Sequence, residues 1–336
     1  MSTTLLVVQT LNGLQLGVLL FLIAAGLTLV FGVMDMINLA HGSLYMVGAF
    51  LAAWLVAKTG SFVWGVLGAI AEATDRLVVG TGVTCPTMRI HPAVIAHAAA
   101  TAADLMPGRF FLGVGTGENL NEQILGQAWP EWDVRSEMLE EAVEVIRALW
   151  SGEVVSRRGE FYRVQNAQLY TLPESLPPIR VAAGGKKMAE MAARIGDGLI
   201  STAPDKEIID AYRAAGGTGP LIGQMSVCWA ESEEKARKTA FEWWPLAALH
   251  GEVSQELPNP SQFTDLAKSV TEDQVAEAIL CSPDADRHLE RVDEYAKAGY
   301  DHVYIHQIGP DQAGFIDFAS RELLPNVGSR TEPALV

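Results

Sequence analysis

The chain carries two different patterns of hydrophobic and polar residues, one after the other. The first pattern covers residues 1–57, which contain a single Asp, Glu, Lys or Arg side chain, Asp35. Within it, residues 5–31 form an uncharged run longer than the roughly 20 apolar residues that cross a bilayer. A second, shorter uncharged run covers residues 44–56. The pattern predicts two hydrophobic helices of the membrane type.

In the second pattern, apolar runs flanked by glycine alternate with stretches whose apolar residues recur at helical spacing. The apolar runs predict strands over residues 76–84, 109–116, 179–183, 198–202, 221–230 and 302–308. The amphipathic stretches predict helices over residues 92–106, 134–150, 184–195, 205–215, 232–243, 272–280 and 286–298. Residues 152–176 are expected to form an excursion with short strands. Repeated strand–helix units predict a parallel sheet with right-handed crossovers.

Small or polar residues stand at the ends of several predicted strands, which favours a barrel with its site at the carboxyl-terminal face. These residues are Thr84, Glu118, Gly184 and Thr202. A closed barrel needs eight units, so a shorter series leaves two open sheet edges. The predicted fold class is therefore α/β: an incomplete TIM (β/α)8 barrel of about six βα units, preceded by two hydrophobic, membrane-type helices. The predicted domains are residues 1–58, residues 61–328 and a tail at residues 329–336.

The net charge of −16 excludes some classes of partner. Nucleic-acid binding needs clustered lysine and arginine, so we expect a small-molecule substrate and no nucleic acid. The three cysteines, Cys85, Cys228 and Cys281, lack metal-ligand spacing and predict buried thiols in a reducing compartment, with no metal site. We expect a cytoplasmic protein. Membrane association through residues 5–57 at the cytoplasmic face and homodimer formation stay open as alternatives.

Residues 109–122 are the strongest candidate for chemistry. An apolar strand runs into the sequence GVGTG, whose glycines let backbone N–H groups approach a ligand closely. A carboxylate, Glu118, and an amide, Asn121, follow as a helix begins. The spacing is G-x-G-x-G, which differs from the G-x-G-x-x-G fingerprint of dinucleotide-binding proteins. The stretch therefore predicts a tight turn between a strand and a helix, with a carboxylate at its end.

A longer stretch, LGAIAEATDRLVVGTGVTCPTMRIHPAVIAHAAATAADLMPGRFFLGVGTGENLNE at residues 67–122, carries a family resemblance. It resembles the luciferase-like superfamily of TIM barrels, and within it the coenzyme F420-dependent branch that includes F420-dependent glucose-6-phosphate dehydrogenase. The similarity continues, in the family's order, through residues 129–152, 181–185, 196–202, 241–245 and 301–312. The resemblance implies a deazaflavin bound at the barrel mouth and hydride transfer between its ring and a small organic substrate.

The resemblance also implies roles for single residues. Glu118 matches an acidic residue proposed as proton donor to the deazaflavin ring, a task that needs a carboxyl kept neutral by burial. The alternative for Glu118 is a carboxylate at a helix amino terminus, stabilised by the helix dipole. The implied cofactor-binding residues are Gly82, Val83, Asn121, Ala182, Ala183, Gly184 and Gly185. Thr202 matches a polar position near the substrate.

For two sets of these residues, the implied contact with the cofactor is made by the backbone. Gly82 and Val83 match the place where the family has a cis peptide bond, without proline, against the ring face. The loop of Ala182 to Gly185 matches the one whose amides hold the cofactor's phosphate at the start of a helix.

The sequence also departs from the family in two respects. The family's second strand ends in an Asp-His pair that supplies a catalytic base, and no such pair precedes Phe62. The activity of this chain could therefore be lost. Asp205 and Asp265 fall near the positions of lysines that hold a sugar phosphate, so we do not expect a phosphorylated sugar as substrate. His302 and His306 share one face of the last strand, and we expect a structural role for them.

Residues 26–52, GLTLVFGVMDMINLAHGSLYMVGAFLA, resemble a different family, the amino-terminal portion of branched-chain amino acid ABC transporter permeases. Two alternatives to an F420-dependent oxidoreductase therefore stay open. One is a luciferase-like monooxygenase that uses flavin mononucleotide (FMN). The other is a membrane-anchored or non-functional fusion with a permease fragment.

Overall fold

The computed structural model describes residues 68, 70–249 and 253–330. The chain divides between Asp75 and Arg76 into two units, and every element numbered below belongs to the second. The predicted hydrophobic helices and the permease-like stretch lie outside the described residues. Within the described part, no helix has both the length and the apolar character needed to cross a membrane. The domain bounds and the membrane association stay predictions.

The described residues form nine strands. They are β1 (Val79–Gly80), β2 (Phe110–Val114), β3 (Val155–Arg158), β4 (Arg163–Ala167), β5 (Ile179–Ala182), β6 (Gly198–Ser201), β7 (Leu221–Cys228), β8 (Leu280–Cys281) and β9 (His302–Gln307). The strands β3 and β4 form an antiparallel hairpin, which confirms the predicted excursion. The other seven form one parallel sheet.

Helices connect the strands of the parallel sheet and follow its last strand. They are α1 (Pro92–Leu105), α2 (Asn119–Glu122), α3 (Trp132–Leu149), α4 (Lys186–Ile195), α5 (Lys206–Ala214), α6 (Glu233–Trp243), α7 (Val253–Glu256), α8 (Pro260–Ala267), α9 (Glu272–Ala278), α10 (Ala285–Ala298), α11 (Gln312–Phe318) and α12 (Leu324–Arg330). Side-chain caps set several of their starts, because a cap satisfies a first-turn N–H group. Asp205 accepts from the N–H of Glu207 at α5, and Asp284 from that of Asp286 at α10.

The sheet order is β1-β2-β5-β6-β7, with β9 on the far side of β7. Arg180 of β5 is in register with Gly113 of β2 and Gly198 of β6, so the central strands are aligned. Among the described strands, none pairs with the outer edge of β1 or of β9. This α/β arrangement, a curled parallel sheet with helical crossovers, is consistent with part of a TIM barrel. The fold prediction is confirmed to that extent.

Two predicted elements differ in the structure. The helix predicted over residues 272–280 ends at Ala278, and β8 then pairs with the end of β7 through Cys281 and Cys228. The strand predicted over residues 76–84 is reduced to β1 and an isolated parallel bridge between Thr84 and Val114. The reason is that the hydroxyl of Thr81 replaces backbone pairing, since it donates to the carbonyl of Gly113 at 2.8 Å and accepts from its N–H at 2.9 Å.

Helices cover the outer face of the sheet, and the core lies between these two layers. Ile179, Val181 and Leu199 point into this layer and are fully buried. Each such side chain contributes roughly 1.5–3 kcal/mol of transfer free energy. The indole N–H of Trp150, at the end of α3, donates to the carbonyl of Ala96 in α1 at 2.9 Å. The crossover helices are therefore held to each other as well as to the sheet.

Candidate functional site

The carboxyl ends of β1, β2 and β5 meet at Gly115. A Cβ atom on Gly115 would stand 2.8 Å from Cγ2 of Val83 and 3.5 Å from Cβ of Ala182. Val83 and Ala182, two of the predicted cofactor-binding residues, therefore lie on either side of Gly115 and within contact distance of it. The peptide bond between Gly82 and Val83 is cis, which agrees with what the resemblance implied.

The turn after β5 borders open space. A Cβ atom on Gly184 or Gly185 would meet no heavy atom within 4 Å, and the same holds for Gly82. The N–H of Ala183 donates to the carbonyl of Ile200 at 2.8 Å, which fixes the turn to β6. Gly185 precedes α4 without a side-chain cap in the described structure, so the first-turn N–H groups can serve a ligand. This geometry fits an anionic group such as a phosphate.

The predicted proton donor and its neighbour lie together at the end of β2. Glu118 is the residue before α2, and its side chain makes no capping hydrogen bond to this helix. Instead, Oε2 of Glu118 accepts from the side-chain amide of Asn121 at 3.1 Å. Both side chains are exposed. The burial that a neutral carboxyl requires is therefore not provided by the described side chains.

Thr202 lies at the end of β6, where two tyrosines that the sequence analysis missed hold the backbone. The hydroxyl of Tyr295 donates to the carbonyl of Thr202 at 3.2 Å and to that of Gln224 at 2.9 Å. The hydroxyl of Tyr300 donates to the carbonyl of Ala203 at 2.7 Å. Burial raises the pKa of Tyr295 to about 12, so this hydroxyl stays a donor at neutral pH. No local pattern reveals these contacts, because each joins residues more than 70 positions apart.

Glu122 is another residue that the sequence analysis missed, although it belongs to the same motif as Glu118. Its side chain is 2% exposed, and Oε2 accepts from the backbone N–H of Arg89 at 3.0 Å. Nearby, the thiol of Cys85 lies 3.0 Å from the hydroxyl of Thr87. Burial raises the pKa of Cys85, so this thiol is neutral at pH 7. The bond between Arg89 and Glu122 thus joins the turns after β1 and β2.

The two histidines of β9 share a face, as predicted, because exposure alternates along the strand. The ring of His306 meets that of Trp244 edge-on, with 5.0 Å between centroids. Burial lowers the pKa of His306, which favours the neutral imidazole. The structural role that we expect for His302 and His306 stays a prediction.

Three lysines are paired with carboxylates, whereas Nζ of Lys187, in the first turn of α4, lies 5.1 Å from the ring centroid of Trp132. The ion pairs are Lys186–Glu207 at 2.9 Å, Lys206–Asp210 at 2.5 Å and Lys268–Asp265 at 2.7 Å. Asp205, the other acidic residue that stands near an expected lysine, caps α5. These groups do not form a cluster of unpaired positive charge.

An open cavity of about 440 Å³ lies elsewhere, at the amino-terminal ends of β5 and β6. Its lining residues are Arg147, Trp150, Leu176, Pro177, Pro178 and Asp197. Because sites of barrel enzymes lie at the opposite face, this cavity is not part of the candidate site.

The family model for luciferase-like monooxygenases matches residues 48–302. The chain belongs to this luciferase-like family. An F420-dependent glucose-6-phosphate dehydrogenase of Microbacterium testaceum is 36% identical to this luciferase-like chain over 277 residues, which cover 79% of it and 82% of the relative. The predicted kinship with F420-dependent oxidoreductases is confirmed by this relative.

Solved structures agree with the family assignment. An F420-dependent secondary alcohol dehydrogenase in complex with an F420–acetone adduct matches the luciferase-like chain with a TM-score of 0.71 and 28% identity, over 79% of this chain and 83% of its own. A type II Baeyer–Villiger monooxygenase of Pseudomonas putida, in complex with FMN, is 15% identical with a TM-score of 0.58, over 79% and 85% of the two chains. That second likeness shows the fold alone.

Proposed function

We propose that the chain is a coenzyme F420-dependent oxidoreductase. In this proposal the bound deazaflavin supplies the hydride donor or acceptor, and the substrate is a small organic molecule with an alcohol or carbonyl group. The observation that carries the proposal is the meeting of Val83, Gly115 and Ala182 at one edge of the sheet, beside the open turn at Gly184 and Gly185. The names of the similar dehydrogenases support the choice of cofactor.

Different residues of the chain would bind the phosphate group, support the ring and hold the proton. The uncapped first turn of α4, with Gly184 and Gly185 before it, would hold a phosphate group through backbone N–H groups. Val83 would support one face of the ring. Glu118 would hold the proton exchanged with the cofactor, and Asn121, which already donates to its Oε2, would fix the direction of the carboxyl. A ring lying over Glu118 would exclude water and supply the burial that the described side chains do not.

We further propose that the substrate is uncharged. Lys186 and Lys206 both stand near the strand ends, and each forms an ion pair with a carboxylate on α5. A phosphorylated sugar carries two negative charges and would need unpaired cations at the mouth. A neutral alcohol or ketone has no such requirement.

The cofactor proposal is tested by titrating the purified full chain with F420 and, separately, with FMN, following absorbance and fluorescence. We expect saturable binding of F420 and none of FMN. Saturable binding of FMN alone would favour the monooxygenase alternative, and binding of neither would refute the proposal. Binding of F420 without turnover of any alcohol or ketone would agree with the loss of activity expected because no Asp-His pair precedes Phe62.

Two variants assign the binding and the chemistry to named residues. Gly185→Val places a side chain in the open space, so we expect at least about tenfold weaker F420 binding with unchanged folding. Thr218→Val introduces the same side chain at an exposed position beyond the opposite ends of the strands and should leave binding unchanged. Glu118→Gln should keep binding but lower turnover by about 10²-fold or more, the usual contribution of a general acid.

The substrate proposal is tested with glucose 6-phosphate and propan-2-ol as paired probes on the F420-loaded protein. We expect turnover of the neutral alcohol only. Preferential turnover of glucose 6-phosphate would refute the uncharged substrate while leaving the cofactor assignment intact.

A further inference from the structure

Glu122 is a buried ionisable group that the proposed chemistry does not use. Its carboxylate is 2% exposed, although it lies only one turn after the exposed Glu118. Burying a carboxylate is costly unless hydrogen bonds compensate. Oε2 receives one such bond, from the backbone N–H of Arg89 at 3.0 Å, and Oε1 lies 3.9 Å from Nε of the same residue.

The bond to Arg89 joins two turns of the candidate site. Arg89 belongs to the segment between β1 and α1, which also contains the cis bond at Gly82–Val83. Glu122 belongs to α2, which begins directly after Glu118, and its N–H donates to the carbonyl of Glu118 at 3.2 Å. This buried carboxylate therefore connects the segment that would support the ring face with the one that presents the proton donor, beyond the backbone bonds that Thr84 makes with Gly113 and Gly115.

Close packing makes this connection stiff. Gly117 has a φ of +83°, and a Cβ atom on it would stand 2.5 Å from Sγ of Cys85 and 3.3 Å from Cγ of Glu122. The stem of Glu122, the thiol and the glycine are thus in direct contact. A movement of the carboxylate would displace the residue immediately before Glu118.

We infer that Glu122 is a positioning residue: its bond to Arg89 holds the ring-supporting turn and the turn of Glu118 at a fixed separation. The inference rests on the proposed function for its consequence, because it assigns Glu122 to the placement of the proton donor. It predicts that Glu122 acts through Glu118 and through the geometry of the binding edge, and that its charge matters less than its acceptor oxygen.

The first test is hydrogen exchange of the free protein, which needs no cofactor. In Glu122→Ala, peptides covering residues 84–91 and 115–122 should exchange at least about tenfold faster, the factor for one lost hydrogen bond to a charged group. Glu122→Gln keeps an acceptor for the Arg89 N–H and should restore most of the protection. Glu131→Ala, which removes an exposed carboxylate before α3, serves as control. Unchanged exchange in Glu122→Ala would overturn the inference.

The second test is a double-mutant cycle with Glu118→Gln, measuring F420 affinity and turnover. If Glu122 acts through Glu118, Glu122→Ala should lower kcat by about tenfold or more in the wild-type background and by little in the Glu118→Gln background. Additive effects would mean that Glu122 only supports the fold and would overturn the inference.

The cycle also separates this inference from the proposed function. Failure of the wild-type chain to bind F420 would refute the function, whereas normal binding and turnover in Glu122→Ala would refute only the positioning role. If Glu122→Ala does not fold, Glu122→Asp takes its place, because its shorter side chain cannot reach the Arg89 N–H at 3.0 Å. Wild-type exchange in Glu122→Asp would then be the contradicting result.

Discussion

The β3–β4 hairpin should depend on one carboxylate of α3, and replacing Glu141 by alanine tests this. Oε2 of Glu141 accepts from the backbone N–H groups of Glu160 and Phe161, each at 3.0 Å, and Oε1 accepts from that of Tyr162 at 2.9 Å. Gly159 precedes these donors, and a Cβ atom on it would collide with Oε1 of Glu141. The turn between β3 and β4 is therefore folded around the carboxylate.

The magnitude follows from the exposure of the three donors. A hydrogen bond to a charged group contributes about 1.5–3 kcal/mol, but a donor that can reach water recovers most of this after the change. Glu160 is exposed and Phe161 is half-buried, so their N–H groups can bind water after the change. Tyr162 is 6% exposed, and its N–H group would be left without a hydrogen-bond acceptor. We expect Glu141→Ala to lower the free energy of unfolding by about 3 kcal/mol. For a domain of this size the melting temperature should fall by about 6–12 °C.

Thermal and urea unfolding of the purified chain, followed by circular dichroism, measure this loss. Glu144→Ala is the matched control, since Glu144 lies on the same helix and pairs with Arg157 of the hairpin, but at the surface. A surface pair contributes about 1 kcal/mol or less. The reasoning is refuted if the two variants lose the same stability. Gly159→Ala should be far less harmful in the Glu141→Ala background than in the wild type, because the colliding carboxylate is gone.

Three further predictions concern two buried thiols, a buried histidine and a glycine of positive φ. Burial raises the pKa of Cys228 to about 11 and that of Cys281 to about 12, so both thiols should resist a disulfide reagent at pH 8 until the chain is unfolded. Burial lowers the pKa of His288, so below about pH 6.5 the unfolded chain binds a proton that the folded chain does not. Stability should therefore fall as the pH falls through this range, and His288→Gln, whose amide can still donate to the carbonyl of Ser282, should flatten the profile in pH-dependent urea unfolding. Gly117→Ala forces a Cβ atom to 2.5 Å from the Cys85 thiol at a positive φ, so calorimetry should show a loss of about 1–3 kcal/mol.

The sequence predicted the strands and helices best where apolar periodicity and glycines within a few residues determine the local structure. The strand predicted over residues 179–183 is β5, and the helix predicted over residues 134–150 is α3 to within two residues. The carboxyl-end glycines placed the candidate site at the carboxyl ends of the strands, and this placement stays a prediction. The two-residue strand β8 was missed because Leu280 and Cys281 are too short a run to show a period.

The contacts that shape the candidate site were not predictable in this way. Glu122 and Arg89 are 33 residues apart, and Tyr295 and Thr202 are 93 apart. In both pairs a side chain binds a backbone group. Because every residue has such a group, the types of the two residues do not reveal that they are partners.

By itself, the sequence determined that strands and helices alternate, which faces are buried, and that small and acidic residues stand where strands end. It could do so because hydrophobic period and backbone freedom are properties of a few neighbouring residues. Only the tertiary structure decided that Val83, Gly115 and Ala182 meet, and that the side chain of Glu122 is buried while that of Glu118 is exposed. Which residues meet, and which carboxylate is buried, depend on how the crossovers bring distant turns to one edge of the sheet. A buried carboxylate there needs hydrogen-bond donors from another turn.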